Sequence, residues 1–203
     1  ISRMDQGLGS ILKTLKEEGM DRNTILFFTS DNGPMPGETF TEFFDSNGPL
    51  RGGKRDLYEG GIRVPLIVRW PGQVQAGTTS PHLSAFWDIF PTCLDLAQQE
   101  IPEGLDGISL VPTLLGTGEQ VLHQSLYWEF HERTGAQAIR QGKWKAVKNN
   151  VVTDPDGPIE LYDLSVDLAE EHNLADQYPD KVKQLSELIR QSRNSSELFP
   201  RIQ

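Results

Sequence analysis

Asp31 and Asn32 set a carboxylate beside an amide carbonyl in the run Ser30-Asp31-Asn32-Gly33. Adjacent hard oxygen donors at a chain bend suit Ca2+ or Mg2+ and do not favour zinc, which prefers imidazole and thiolate. A plain turn competes with that reading, because Asn-Gly is the commonest tight-turn dipeptide and Asp often precedes it. The segment that follows, Pro34-Met35-Pro36-Gly37, cannot be the partner strand of a hairpin, which weakens the plain turn.

Lys54 is the second candidate. Gly48, four residues and then Gly53-Lys54 nearly spell a phosphate-binding loop. Arg55, however, stands where a Ser or Thr hydroxyl must hold Mg2+, and Glu42-Phe43-Phe44-Asp45-Ser46-Asn47 is no buried parallel strand, so the nucleotide reading is rejected. A lysine in such a loop is ordinarily a solvated cation, yet Lys54 shares one connection with Asp31 and Asn32 and can converge with a metal on one anion. His82, His123, His131 and His172 show no pairwise metal-ligand spacing. His131, in Tyr127-Trp128-Glu129-Phe130-His131-Glu132, is the best of the four for lining a pocket, since aromatics and a carboxylate flank it. Strand alternation equally allows it the solvated face.

The elements around these residues must position them. Met4, Leu8, Ile11, Leu12 and Leu15 recur at helical spacing, and Gly19 ends the helix. The next segment, Thr24 to Thr29, is apolar without alternation and reads as a strand covered on both faces, so a parallel α/β sheet is expected, with its earlier strands upstream of Ile1. Ligands in such sheets bind beyond the carboxyl ends of the strands, where Asp31 and Asn32 fall. Ser30 to Ile62 is rich in glycine and proline and reads as a long irregular connection, of the kind that is usually functional or disordered. A second buried strand follows at Val64 to Trp70, with Pro65 at its start. Asp88 is then expected to cap a helix that holds Pro91 in its first turn and buries Phe90, Cys93, Leu94 and Ala97. Cys93 reads as a small hydrophobe on that face.

Beyond Gly116-Thr117-Gly118 the pattern turns to alternating strands at Ser125 to Glu132, Ala136 to Gln141, Lys143 to Lys148 and Ile159 to Leu164, separated by turn residues. This predicts an antiparallel meander. Pro179-Asp180 opens a last helix with Val182, Leu185, Leu188 and Ile189 on one face. The expected organisation is an α/β portion over 1–118 and a small α+β subdomain over 119–203. The acidic stretch around Asp163, Asp167, Glu170 and Glu171 reads as solvated surface.

Composition bounds the rest. At 203 residues, 36% of them hydrophobic, the chain is long enough for one domain or one and a half and is not broadly disordered. A formal net charge of −10 disfavours nucleic acid and anionic lipid as partners, and an anionic substrate then needs a local cationic pocket. No apolar run approaches the ~18 residues of a membrane span, so a soluble chain is expected. Cys93 is the sole cysteine, which excludes an intrachain disulfide and a cysteine metal cluster. Ile1-Ser2-Arg3-Met4 has no signal-peptide character and enters a helix at once, as expected of a chain cut mid-protein.

The residues also resemble a known family. Thr29-Ser30-Asp31-Asn32-Gly33, Leu50-Arg51-Gly52-Gly53-Lys54, Tyr58-Glu59-Gly60-Gly61-Ile62-Arg63-Val64-Pro65 and Arg69-Trp70-Pro71-Gly72 resemble the C-terminal half of the type I sulfatases, the arylsulfatase family. Asp88-Ile89-Phe90-Pro91-Thr92, the stretch Gln137 to Lys145, Glu160-Leu161-Tyr162-Asp163-Leu164 and Asn173-Leu174-Ala175 continue the resemblance in order. It implies the C-terminal part of an alkaline-phosphatase-like α/β sandwich followed by a small α+β subdomain. It implies hydrolysis of aryl or carbohydrate sulfate esters by a formylglycine made from the Cys or Ser of a C/S-x-P-x-R signature. It also implies Ca2+, with Mg2+ as the variant, held by an upstream Asp pair together with Asp31 and Asn32, while Lys54 contacts the sulfate. A periplasmic or secreted location follows from the same resemblance.

The signature itself is absent: Cys93 is followed by Leu94-Asp95 and Ser80 by Pro81-His82-Leu83. The chain is therefore expected to be a C-terminal fragment that needs the N-terminal half as partner and is inactive alone. A phosphonate or phosphodiester hydrolase of the same superfamily and a non-catalytic pseudo-sulfatase binding module are the alternatives. Zinc-dependent relatives place Asp-His where this chain has Asp31-Asn32, which favours sulfate.

Overall fold

The computed structural model describes residues 1–37, 43–194 and 196–198; residues 38–42 of the long connection, Glu42 among them, lie outside the described residues. In chain order the elements are α1 (Ser2–Glu17), β1 (Leu26–Thr29), α2 (Glu59–Ile62), β2 (Leu66–Arg69), α3 (Ile89–Leu96), α4 (Val111–Leu115), β3 (Leu126–Phe130), β4 (Ala136–Gln141), β5 (Trp144–Asn149), β6 (Glu160–Asp163) and α5 (Pro179–Ser192). They form an α/β fold with two antiparallel sheets and a C-terminal helix. Two compact units result, one from Ile1–Thr29 and Pro65–His123, the other from Ser30–Val64 and Gln124–Gln203.

In the first unit β1 and β2 pair antiparallel, with Leu26 opposite Arg69 and Thr29 opposite Leu66. The parallel sheet expected from the apolar run is not found between these strands. An apolar run reports hydrophobicity and carries no direction, whereas parallel pairing needs a crossover that is usually a full helix. Between these strands the described residues offer only the four-residue α2. Nor are the strands covered on both faces: β1 is half-buried throughout, and Ile67 of β2 is 58% exposed. The apolar stripe of α1 has the predicted spacing, yet no residue of that helix is buried.

Helix α3 also turns its other side inward. Pro91 and Thr92 are buried, while Phe90 and Cys93 of the expected buried face are exposed. Asp88 stands at the N-cap of α3 as expected, but its side chain makes no cap bond to that helix. Its fully buried carboxylate accepts the amides of Ala85 (2.7 Å) and Ile108 (2.9 Å) and meets His123 Nε2 at 2.9 Å. A buried carboxylate goes to whichever donors satisfy it most fully, and here those are loop amides and an imidazole.

The second unit is built on the meander β3-β4-β5-β6, antiparallel throughout, at the predicted places. Gly142 takes φ 58° in the β4–β5 turn, the left-handed conformation that a two-residue hairpin demands. Alternation gives the sheet two apolar faces. Ile139, Ala146 and Leu161 pack against Leu185 and Ile189 of α5. Ala138, Val147 and Tyr162 face Leu57, with Tyr58, Ile62, Trp128 and Phe130 around them. The second face therefore carries the segment that leads into α2, and with it the glycine-rich connection.

Candidate functional site

The Asp31-Asn32 turn is held from within. Ser30 Oγ donates to Asn32 O at 2.8 Å, and Asn32 Nδ2 donates to Gly33 O at 2.9 Å. Asn32 thus directs its amide nitrogen to the backbone of the turn. Asp31 is exposed.

Glycines then bring the turn and the Lys54 loop together. Gly33 N donates to Gly61 O at 2.9 Å, and a Cβ on Gly33 would lie 1.8 Å from Gly60 O. Lys54 N donates to Pro34 O at 2.8 Å, and a Cβ on Gly53 would lie 2.7 Å from the same carbonyl oxygen. Gly60 N donates to Arg51 O at 2.7 Å, while a Cβ on Gly61 would stand 2.0 Å from Asp56 O. Contacts of this kind leave no room for a side chain, so the glycines at 33, 53, 60 and 61 are what lets three backbone segments close on one another. Asp56 Oδ2 accepts Gly53 N at 2.9 Å, and Asn47 Nδ2 donates to Leu50 O (2.6 Å) and Gly52 O (2.8 Å), so the loop keeps its shape. The turn is no hairpin: its amide goes to α2.

Beneath this junction lies a charged cluster that the sequence reading did not foresee. Lys145 Nζ is fully buried and stands 2.9 Å from Glu59 Oε1 and 2.8 Å from Glu170 Oε1. Glu170 Oε2 accepts Glu59 N at 2.6 Å, and Glu59 Oε2 takes Arg63 Nε at 2.7 Å, with Arg140 at 3.8 Å. The expected solvated surface at Glu170 is thus overturned: it is 0% exposed and takes φ 56°, an uncommon backbone conformation for glutamate. Burial raises the Glu59 carboxyl, but Lys145 and Arg63 outweigh it and hold that group below its ordinary value. At Glu170 burial wins over the single cation Lys145, and the carboxyl is raised.

A second anchor joins the same loop to the sheet. Arg51 lies 3.9 Å from the centre of the Tyr58 ring and donates to Tyr162 Oη at 2.7 Å and to Glu170 O at 3.1 Å. Tyr58 and Tyr162 both donate to Glu160 Oε2, at 2.7 and 2.6 Å. Burial, reinforced by that carboxylate, pushes the Tyr58 hydroxyl up to about 12, so it remains a donor. A sequence signal for this face existed: Arg140 and Lys145 are direct cross-strand partners with the parity of Ala138 and Val147. Two cations on a core-facing register require buried acids opposite them.

His131 directly precedes Glu132, which pairs with Arg55 of the Lys54 loop at 3.2 Å. Its Nε2 bonds Glu129, whose other oxygen accepts Tyr127 Oη at 2.6 Å and Arg193 Nε at 2.7 Å. Tyr127 packs with the cluster on the α5 side of the sheet, and alternation puts Glu129 on that side too, opposite to Tyr58 and Leu57. Among the described residues no three His, Cys, Asp or Glu side chains gather as a metal site. Asp31 and Asn32 offer two hard oxygen donors, which suits a share of the six to eight that Ca2+ takes.

Comparison with known proteins matches this arrangement to one group. The sulfatase family model matches residues 1–99, and the model for the C-terminal region of N-sulphoglucosamine sulphohydrolase matches residues 52–195. The chain is 32% identical to arylsulfatase A of Bos taurus over 94% of its length and 41% of that protein. It is 36% identical to an N-acetylgalactosamine-6-O-sulfatase of Bacteroides thetaiotaomicron, over 93% of the chain and 40% of that protein. A solved structure in complex with its substrate D-glucosamine-2-N,6-O-disulfate superimposes with a TM-score of 0.74 at 30% identity, covering 93% of this chain and 37% of that one. The chain thus spans about 40% of the length of the curated relatives it matches. With the family models covering both the glycine-bound junction and the meander beneath it, the chain belongs to the sulfatase family.

Proposed function

We propose that this chain is the C-terminal portion of a sulfatase that hydrolyses sulfate esters, with a carbohydrate sulfate as the favoured substrate class. Asp31 and Asn32 contribute two oxygen ligands to a divalent cation, Ca2+ before Mg2+, and the Lys54 ammonium binds the sulfate. When bound, the cation supplies Lewis-acid stabilisation of charge on the sulfate oxygens, and a formylglycine outside this chain supplies the nucleophile. The part of this chain is electrostatic and positional: the Lys54 ammonium, and the cation that Asp31 and Asn32 would hold, converge on one tetrahedral anion. The single observation that supports it most is the pair of backbone bonds, Gly33 N to Gly61 O and Lys54 N to Pro34 O, that tie the Asp31-Asn32 turn to the Lys54 loop.

The names of two relatives, an N-acetylgalactosamine-6-O-sulfatase and a complex with a disulfated glucosamine, support a carbohydrate sulfate, and arylsulfatase A keeps aryl sulfates as the alternative. A periplasmic or secreted location belongs to the same reading. No described helix is long and apolar enough to cross a membrane. In the full-length protein Lys54→Ala should lower turnover of a sulfate ester by about 10²–10³, the loss typical of removing one preorganised donor to a developing anion. Folding should be unaffected, and near-normal kinetics would remove Lys54 from the site. The chain alone, lacking the nucleophile, should give no turnover above buffer.

A further inference from the structure

Lys145 is a fully buried cation to which the proposed metal and sulfate contacts assign no role. It bridges two carboxylates, at 2.9 and 2.8 Å, that arrive from distant parts of the chain. One belongs to Glu59, the first residue of α2; the other belongs to Glu170, whose second oxygen accepts the Glu59 amide at 2.6 Å. Glu59 is therefore held at both its backbone and its side chain by one charged cluster. The next two residues are those that the site uses: Gly60 bonds Arg51 O, and Gly61 O receives Gly33 N. Glu170 holds a left-handed backbone conformation, φ 56°, that a non-glycine residue keeps only where its surroundings determine it.

We infer that Lys145 is a positioning residue for the cation site: through Glu59 and Glu170 it fixes the start of α2, and through Gly61 it fixes the turn that carries Asp31 and Asn32. The inference rests on the reading of Asp31 and Asn32 as cation ligands. Four charged groups face the lysine or its partners, namely Glu59, Glu170, Arg63 and Arg140. Removing Lys145 leaves the two acids with the two arginines alone, both of which lie on the Glu59 side. Glu170 must then take up a proton or turn from the Glu59 amide, and either weakens the hold on the start of α2.

The test uses the full-length protein titrated with Ca2+ alone, with heat release as the readout. Lys145→Met should raise the Ca2+ Kd at least tenfold. Leu185→Ala, which opens a cavity on the α5 face of the same sheet, should lower Tm comparably while leaving that Kd within twofold. Equal Ca2+ affinities for the two variants would overturn the inference. Should Lys145→Met not fold, Glu170→Gln, which keeps an oxygen for the Glu59 amide but lacks the charge, carries the test; it should raise the Kd several-fold, and an unchanged Kd overturns the inference. Asp31→Ala separates the two levels. If Asp31→Ala abolishes Ca2+ binding and Lys145→Met does not weaken it, only the positioning role fails; if Asp31→Ala binds normally, the ligand reading fails and takes the positioning role with it.

Discussion

The two faces of the β3–β6 sheet are stabilised in different ways. The α5 face is apolar beneath the helix, where Ile139, Ala146 and Leu161 are fully buried against Leu185 and Ile189, and carries the Glu129–Tyr127–Arg193 group at its β3 edge. The other face mixes Ala138 and Val147 with Lys145, Glu59, Glu170, Arg51, Tyr58 and Glu160. Apolar burial is non-directional and scales with area, so the helix face tolerates small displacements. Charge-assisted hydrogen bonds fix distance and angle, so the cluster around Lys145 holds geometry beneath the glycine junction.

The largest effect on stability should come from breaking the charged cluster on one side only. Lys145→Met should destabilise the second unit by about 3–5 kcal/mol, because it leaves buried carboxylates without their partner; chemical denaturation measures it. Leu185→Ala should cost about 2–5 kcal/mol through lost burial and a cavity. The contrast lies in the site: only the first variant should disturb Ca2+ affinity. A Leu185→Ala protein with impaired Ca2+ binding would erase the distinction between the faces.

A pH experiment sharpens the comparison. The Glu59 carboxyl lies below its ordinary value in the fold, so it contributes stability above the unfolded value of about 4.3, and loses it as pH falls through the folded value. The Glu170 carboxyl is raised, so its contribution has the opposite sign: present below about 4.3 and lost as pH rises through its folded value. Replacing Glu170 by Gln removes the second contribution. The Tm of Glu170→Gln relative to the unsubstituted protein should therefore be more favourable at pH 7 than near pH 4.5, and a difference independent of pH would contradict the assignment. The smallest effect is expected at the solvent boundary: Val166→Ser, at a side chain 84% exposed, should change stability by no more than about 0.5 kcal/mol.

The same two faces show what the sequence made legible. The meander and α5 could be read because alternation and helical spacing are local patterns; Leu185 and Ile189 are buried as their period requires. The Asp31-Asn32 turn and Lys54 stood out through residue type, and the glycines through density. Lys145, Glu170 and Glu59 did not, since they are far apart in the chain and each resembles a surface charge when read alone. In the first unit the pattern marked which residues are apolar but not which side is covered: Phe90 and Ile67 remain more than half exposed, at 55% and 58%. Periodicity names a face; only a partner element decides whether that face is buried.

The most direct test of the proposal that Asp31 and Lys54 serve one anion is a double-mutant cycle on Asp31→Ala and Lys54→Ala in the full-length protein, read as kcat/KM for a sulfate ester. If the cation turn and the ammonium grip one anion, the combined loss will fall well short of the product of the single losses. Losses that multiply would mean that Asp31 and Lys54 act at separate places.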